Sequence, residues 1–313
     1  MIKKITLLMS AIAYSIVFAF AQHPNFIVNE IEENMSQGQQ TGFEIFIPEV
    51  DLKSVQKALS KWTKSNKGKY VFSRKATEIF LDNVELSSVS ENSVDMYTTL
   101  TQEKDGVMLK TFVDLGGAFI SSADHNQAFN AMEVILKDFA REQLASKIGD
   151  DVKAEEKHLK KLQSELKQFE RANDKFHNDI AKNKDNIRNE ELAIKKNEMD
   201  QKTKEEQIAL QGEILLAVRE KSISMGNADP ATQKMMKAQV KNEEKALKKF
   251  NSQLKKLKSQ YRSSIKSIEK SKLLIALREQ DIIKNEADQK TKNQQIELQE
   301  KIIDAVKTKK SGI

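Results

Sequence analysis

The chain predicts an α+β fold: a small antiparallel-sheet head domain with two helices, then a long antiparallel α-helical coiled-coil hairpin built from an internal tandem repeat. Three observations predict it. Residues 42–113 alternate apolar and polar side chains in short runs broken by turn residues, as strands do. Residues 152–218 recur 88 positions later at 240–306 with about half of the pairs identical. Apolar residues then recur every seven positions through both copies, the spacing that packs helices along a seam.

The N-terminus reads as a targeting segment. Met1-Ile2-Lys3-Lys4 is a short basic start, Ile5 to Phe20 is apolar, and Ala19-Phe20-Ala21 supplies small residues for cleavage before Gln22. Residues 1–21 are therefore expected to be a signal peptide, too short for a spanning helix. No second apolar run of spanning length follows, so no transmembrane segment is expected in the mature chain. The 313 residues include no Cys, which excludes disulfides, a thiol nucleophile and a lipidated cysteine. These features suit export to a bacterial periplasm, or secretion to the medium or cell surface. Loss of Lys3 and Lys4 lowers the formal charge from +6 to about +4. That excess calls for no polyanionic partner, and no nucleic acid is expected.

Residues 22–41 are polar and hold Ser36-Gln37-Gly38-Gln39-Gln40, and read mainly as a flexible lead-in. The head is expected over 42–149. Phe43, Ile45 and Ile47 alternate along a first strand, and Asp51 caps a helix with Leu52, Val55, Leu59 and Trp62 on one face. Ser65 to Gly68 ends that helix. Strands follow at Tyr70–Phe72 and from Ile79 to Leu86. Val94, Met96, Thr98 and Leu100 then alternate up to an Asp105-Gly106 turn, and Val107, Leu109, Thr111 and Val113 alternate back. After Gly116-Gly117, Ser122 or Asp124 is expected to cap a second helix striped with Phe129, Met132, Leu136 and Phe139. A twisted sheet with both helices on one face, in the manner of a ferredoxin-like sandwich, would bury both stripes. Gly149-Asp150-Asp151 marks a bend or helix restart.

The coiled-coil hairpin is expected over 150–313, with copies at 152–220 and 240–308 and a turn at 222–232. One core column reads Val152, Leu159, Leu166, Asn173, Ile180, Ile187, Ile194, Gln201, Ile208 and Leu215. The same column in the second copy runs from Val240 through Tyr261, Ile268, Ile275, Ile282 and Gln289 to Ile303. The partner column is broken by Asn183, Asn197, Lys204 and Gln211, and by Ser264, Ser271, Asn285, Lys292 and Gln299, so the seam is thin and partly polar. Gly226-Asn227 and Asp229-Pro230 supply the turn. Each helix of about 70 residues spans roughly 105 Å at about 1.5 Å per residue. Folding each copy back on itself would instead give four shorter helices. The block Lys196-Asn197-Glu198-Met199-Asp200-Gln201-Lys202-Thr203-Lys204 and its echo at 284–292 lack the Gly or Pro such a fold needs.

That duplicated polar block carries the candidate interaction residues. Pairing about the turn places Gln201 and Lys204 near Leu254 and Leu257, and Gln289 and Lys292 near Phe169 and Asn173. Polar groups at core positions set register or invite a further helix. Trp62, among Lys61, Lys64, Lys67 and Lys69, reads as core or as an aromatic-basic patch. Lys248, Lys249, Lys255, Lys256 and Lys258 are interleaved with Glu243, Glu244 and Glu269, the pattern of a solvated helix surface. His23, His125, His158 and His177 lack ligand spacing, and phosphate-loop, nucleophile-elbow and His-Glu-x-x-His motifs are absent. No catalytic residue, metal ligand or cofactor is assigned.

The hairpin resembles in outline the rods of periplasmic adaptors in envelope-spanning pumps. Those rods have β-rich halves on both sides, whereas only a preceding head is legible here, so the resemblance is one of shape. The expected role is a non-enzymatic structural or interaction protein of the cell envelope. A coiled-coil rod would space a small docking head, or self-associate. The alternative is a ligand- or glycan-binding head on a passive stalk.

Overall fold

The computed structural model describes residues 25–72 and 78–313; the expected signal peptide lies outside them. Their elements run β1 (Val28–Met35), β2 (Gly38–Pro48), α1 (Leu52–Ser65), β3 (Lys69–Val71), β4 (Ile79–Val84), β5 (Val94–Glu103), β6 (Gly106–Asp114), α2 (Asn126–Ser224) and α3 (Pro230–Ser311). No helix among the described residues is long and apolar enough to cross a membrane. The chain divides into two compact units, one of Met1–Gln163 with Gln294–Ile313, the other of Ser164–Asn293.

In the first unit the six strands form one antiparallel sheet in the order β1-β2-β6-β5-β4-β3. α1 carries the chain from β2 to the far edge at β3. Three successive hairpin-type steps then walk it back until β6 pairs with β2. This is not the ferredoxin-like order, because β2 and β3, parallel to one another and joined by α1, have three strands (β6, β5 and β4) between them, where a ferredoxin-like unit has one. The inner face buries Phe43, Ile45, Ile47, Ile79, Leu81, Val94, Met96, Val107, Leu109 and Val113 against Val55 and Leu59 of α1 and Met132, Leu136, Phe139, Leu144 and Ile148 of α2. Thr98 and Thr111, both buried here, satisfy one another through a 2.9 Å hydroxyl pair. Asp51 caps α1 as expected, its Oδ1 accepting the Ser54 amide at 3.0 Å and its Oδ2 the Ser54 hydroxyl at 2.6 Å.

Three expectations need correction. The segment read as a flexible lead-in contains β1 and the start of β2, and Phe26 joins the core at 5% exposure. An edge strand needs few apolar residues when its backbone pairs along one side and its charges find partners. Here the Glu30 carboxylate accepts the amide (2.7 Å) and the hydroxyl (2.5 Å) of Ser122, and Glu33 pairs with Lys110. The tight reversal depends on Gly38, whose φ is +90°.

The second correction concerns the start of α2. Ser122 is engaged by Glu30, and it is Ser121 that bonds reciprocally with Asp124 in the turn before the helix. Finally, no break occurs at Gly149-Asp150-Asp151, where α2 continues. A single helical Gly costs only about 1 kcal/mol relative to Ala. Lys147 reaches Asp151 at 2.6 Å and Lys153 reaches Asp150 at 2.9 Å, pairs that reinforce helical geometry. The head core also takes in residues from the far end of the chain, since Val306 and Ile313 pack against it and Lys309 reaches Glu49 at 2.6 Å.

In the second unit the two helices run antiparallel and continue unbroken through both polar blocks. Arg278 bonds Asp179 at 3.0 Å, Asn186 bonds Ser271 at 3.0 Å, and Gln211 donates to Glu243 at 2.6 Å. The seam is thin: Ile180, Leu215, Met236, Ile268 and Ile282 are buried beside the polar Ser271 and Asn285. Asp229 caps α3, accepting the amides of Ala231 (2.9 Å) and Thr232 (3.0 Å) and the Thr232 hydroxyl (2.5 Å).

These bonds, that of the Thr232 hydroxyl foremost, hold the Asp229 carboxyl below its ordinary value of 3.8. The stabilisation is therefore complete above that value and is lost as pH falls through the lowered one. Asp229→Asn keeps an acceptor at the cap without titrating. Acid titration of helicity in this variant is expected to lack the component that wild type loses below pH 3.8. Superimposable acid limbs would show that the cap charge is irrelevant.

Candidate binding face of the head sheet

The duplicated block is placed as follows. Gln201 donates to Asn197 at 2.6 Å and Gln289 donates to Asn285 at 2.6 Å, each along its own helix. Lys204 sits over the Phe250 ring at 4.9 Å, and Lys292 bonds Glu165 at 2.8 Å. An ammonium is drawn to an aromatic face or a carboxylate, and both lysines follow that preference.

Contacts recur at the repeat offset. Gln211–Glu243 is echoed by Gln299–Glu155 at 2.6 Å, and Arg219–Glu244 by Lys307–Glu156 at 2.9 Å. The polar positions therefore specify register in each copy. Asn285 is 7% exposed and would lose a partner in Gln289→Leu. Asn197 is half-buried and would suffer less. Gln201→Leu is expected to stabilise the helices by up to about 1 kcal/mol, and Gln289→Leu to be near neutral. Urea denaturation followed by helical ellipticity checks this, and equal shifts would contradict the bonding just described.

Trp62 packs against the head core. Its half-buried ring meets Phe139 edge-on at 6.3 Å between α1 and α2.

A different surface emerges on the outer face of the sheet, opposite α1 and the start of α2. Strand register aligns one residue from each strand into a row: Ile31 opposite Gly42, Phe112 opposite Tyr97, Tyr97 opposite Phe80, and Phe80 opposite Val71. Phe112 lies over Gly42, where a Cβ would stand 2.5 Å from the ring. The Phe80 and Tyr97 rings are 5.0 Å apart, and Phe119, beyond β6, comes within 6.1 Å of Tyr97. Val71 and Phe72 at the row's end are 41% and 45% exposed.

Charged rows flank the aromatic one. On one side Asp114 stands opposite Asp95, and Asp82 opposite Lys69; on the other, Glu44 stands opposite Lys110. Lys110 is occupied by Glu33 and Glu44, and its ammonium is held above the ordinary value, chiefly by the Glu33 bond. Asp95 accepts the Asn83 amide at 2.9 Å, and Asp114 those of Gly116 (2.9 Å) and Gly117 (2.6 Å). Burial pushes the Tyr97 phenol up, and the negative charges of Asp95, Asp114 and Glu78 push it further. The face thus combines aromatic rings with negative potential. Alternation revealed the inner residues of these strands, but the outer row depends on register between strands distant in sequence.

No protein-family model matches the chain, and no curated protein matches it. Among solved structures it is similar to a crystal structure of the Smc head domain with a coiled coil and joint derived from Pyrococcus yayanosii. The identity is 12%, the match covers 92% of this chain and 69% of that one, and the TM-score is 0.28. Nothing about activity follows from a likeness of that size.

Proposed function

We propose that this chain is a non-enzymatic, exported docking protein of a bacterial envelope. Its head would bind a partner through the outer sheet face, and its paired helices would act as a spacer or self-association element. The observation that supports this best is the run of partly exposed Tyr97, Phe80, Val71 and Phe72 at one end of the outer row, beyond the buried Phe112. Rows of this kind suit recognition, because flat apolar rings release water over a broad area while the charged rows beside them fix orientation. Export rests on the basic-then-apolar start and the absence of Cys. The aromatic rings would also suit stacking against a glycan, which keeps the ligand-binding head on a passive stalk as the second reading.

The test uses the full mature chain, because Val306 and Ile313 complete the head core and a cut after Gly149 would remove them. The wild-type protein and a Phe80→Ala/Tyr97→Ala variant are immobilised and exposed to envelope extract. Docking through this face requires that specific retained species be lost with the double variant. Identical retention by both proteins would refute it. N-terminal sequencing of the protein recovered from periplasmic and secreted fractions checks cleavage before Gln22.

A further inference from the structure

We propose that the outer sheet face docks an extended basic peptide segment of a partner protein, with Lys or Arg side chains seated on the Phe80–Tyr97–Phe119 rings beside Asp95 and Asp114. This rests on the docking reading above and names the chemistry of the partner. Phe80, Tyr97 and Phe119 are all half-buried, so part of each ring is reachable, and spacings of 5.0 and 6.1 Å with tilts of 40° and 43° gather them into one aromatic cluster. A cation over such rings is attracted by the ring quadrupole.

The carboxylates select the sign of the occupant. Asp95 and Asp114 face one another across β5 and β6. Like charges directly opposed on neighbouring strands are destabilising unless something neutralises them. The amides they accept, from Asn83 and from Gly116 and Gly117, leave other carboxylate lone pairs open. Asp82 and Glu78 add to the negative field on the same side of the sheet. Among the described strand residues of this face, Lys110 is already held by two glutamates and Lys69 stands opposite Asp82. No described lysine therefore stands across from Asp95 or Asp114. A neutral sugar would stack on the rings but would gain nothing from the opposed carboxylates.

The experiment measures binding of labelled decalysine to the full mature chain by fluorescence anisotropy, with decaglutamate and chitohexaose as comparisons. Asp95→Asn/Asp114→Asn is the primary variant, because asparagine keeps the oxygen that accepts each amide while removing the charge. Intact Trp62 fluorescence and helical ellipticity verify its fold. Decalysine is expected to bind wild type and to weaken about tenfold in this variant and about fivefold to tenfold in Tyr97→Ala. It is expected to be retained by Tyr97→Phe, to weaken with added salt, and to have no counterpart with decaglutamate. Decalysine affinity indifferent to these substitutions would overturn the assignment, since the peptide would then be held elsewhere. Chitohexaose binding that depends on Tyr97, without decalysine binding, would overturn the basic partner while leaving the face as a docking surface. Loss of the docking reading itself has a separate signature: retention of the same envelope species by wild type and Phe80→Ala/Tyr97→Ala.

Discussion

Gly42→Ala is expected to destabilise the head by about 3 kcal/mol, although the change adds one methyl group to a strand. The new Cβ would stand 2.5 and 2.8 Å from two Phe112 ring atoms and 2.8 Å from the Thr111 carbonyl oxygen. A ring at the surface could swing away, but Phe112 is only 2% exposed, and the carbonyl belongs to the paired β6 backbone. Relief must come from separating β2 and β6 locally, which disturbs register next to the aromatic row. The single tryptophan, Trp62, packs against the head core and reports this transition, whereas ellipticity is dominated by α2 and α3. A lowered fluorescence midpoint in urea is the expected result. An unchanged midpoint would mean that the ring has somewhere to go.

Leu144→Ala should cost about as much, roughly 3 kcal/mol, though alanine is the better helix former. Leu144 is 1% exposed in the head core, on the same face of α2 as Ala140 and Ile148. Truncating it leaves a void between helix and sheet that rigid neighbours fill only partly. Leu192→Ala provides the contrast on the same helix, because Leu192 is 59% exposed and its loss should fall within about 0.5 kcal/mol. Trp62 fluorescence should therefore shift for Leu144→Ala alone. Comparable shifts in both variants would mean that α2 does not divide between the two compact units as described. Because there are two units, the probes are analysed separately and not through one two-state fit.

How legible the protein is in its sequence varies by element. Strong local periodicity carried the α1 stripe, the β5–β6 hairpin, whose turn falls at Lys104-Asp105, one position before the expected Asp105-Gly106, and the continuity of both long helices through the polar blocks. β1 escaped because its stability lies in pairing with β2 and in the Glu30 and Glu33 contacts, both made by residues distant in the chain. Gly149 suggested a break that two local ion pairs help to prevent. Trp62 has the spacing of a core residue and packs half-buried against the core, while the aromatic row had no local signal. Its members, Ile31, Val71, Phe80, Tyr97 and Phe112, are scattered over more than 80 positions.

Periodicity and duplication were enough to establish an α+β head followed by two long helices with a turn at Gly226 to Pro230. Repeats of this kind act over a few neighbouring residues, and water rejects an apolar stripe whatever else the chain does. Strand order, the neighbours of each lysine and the face that stays open were settled only by folding. They depend on which distant segments meet, and a one-residue change of register would send Tyr97 and Phe80 to the opposite side of the sheet.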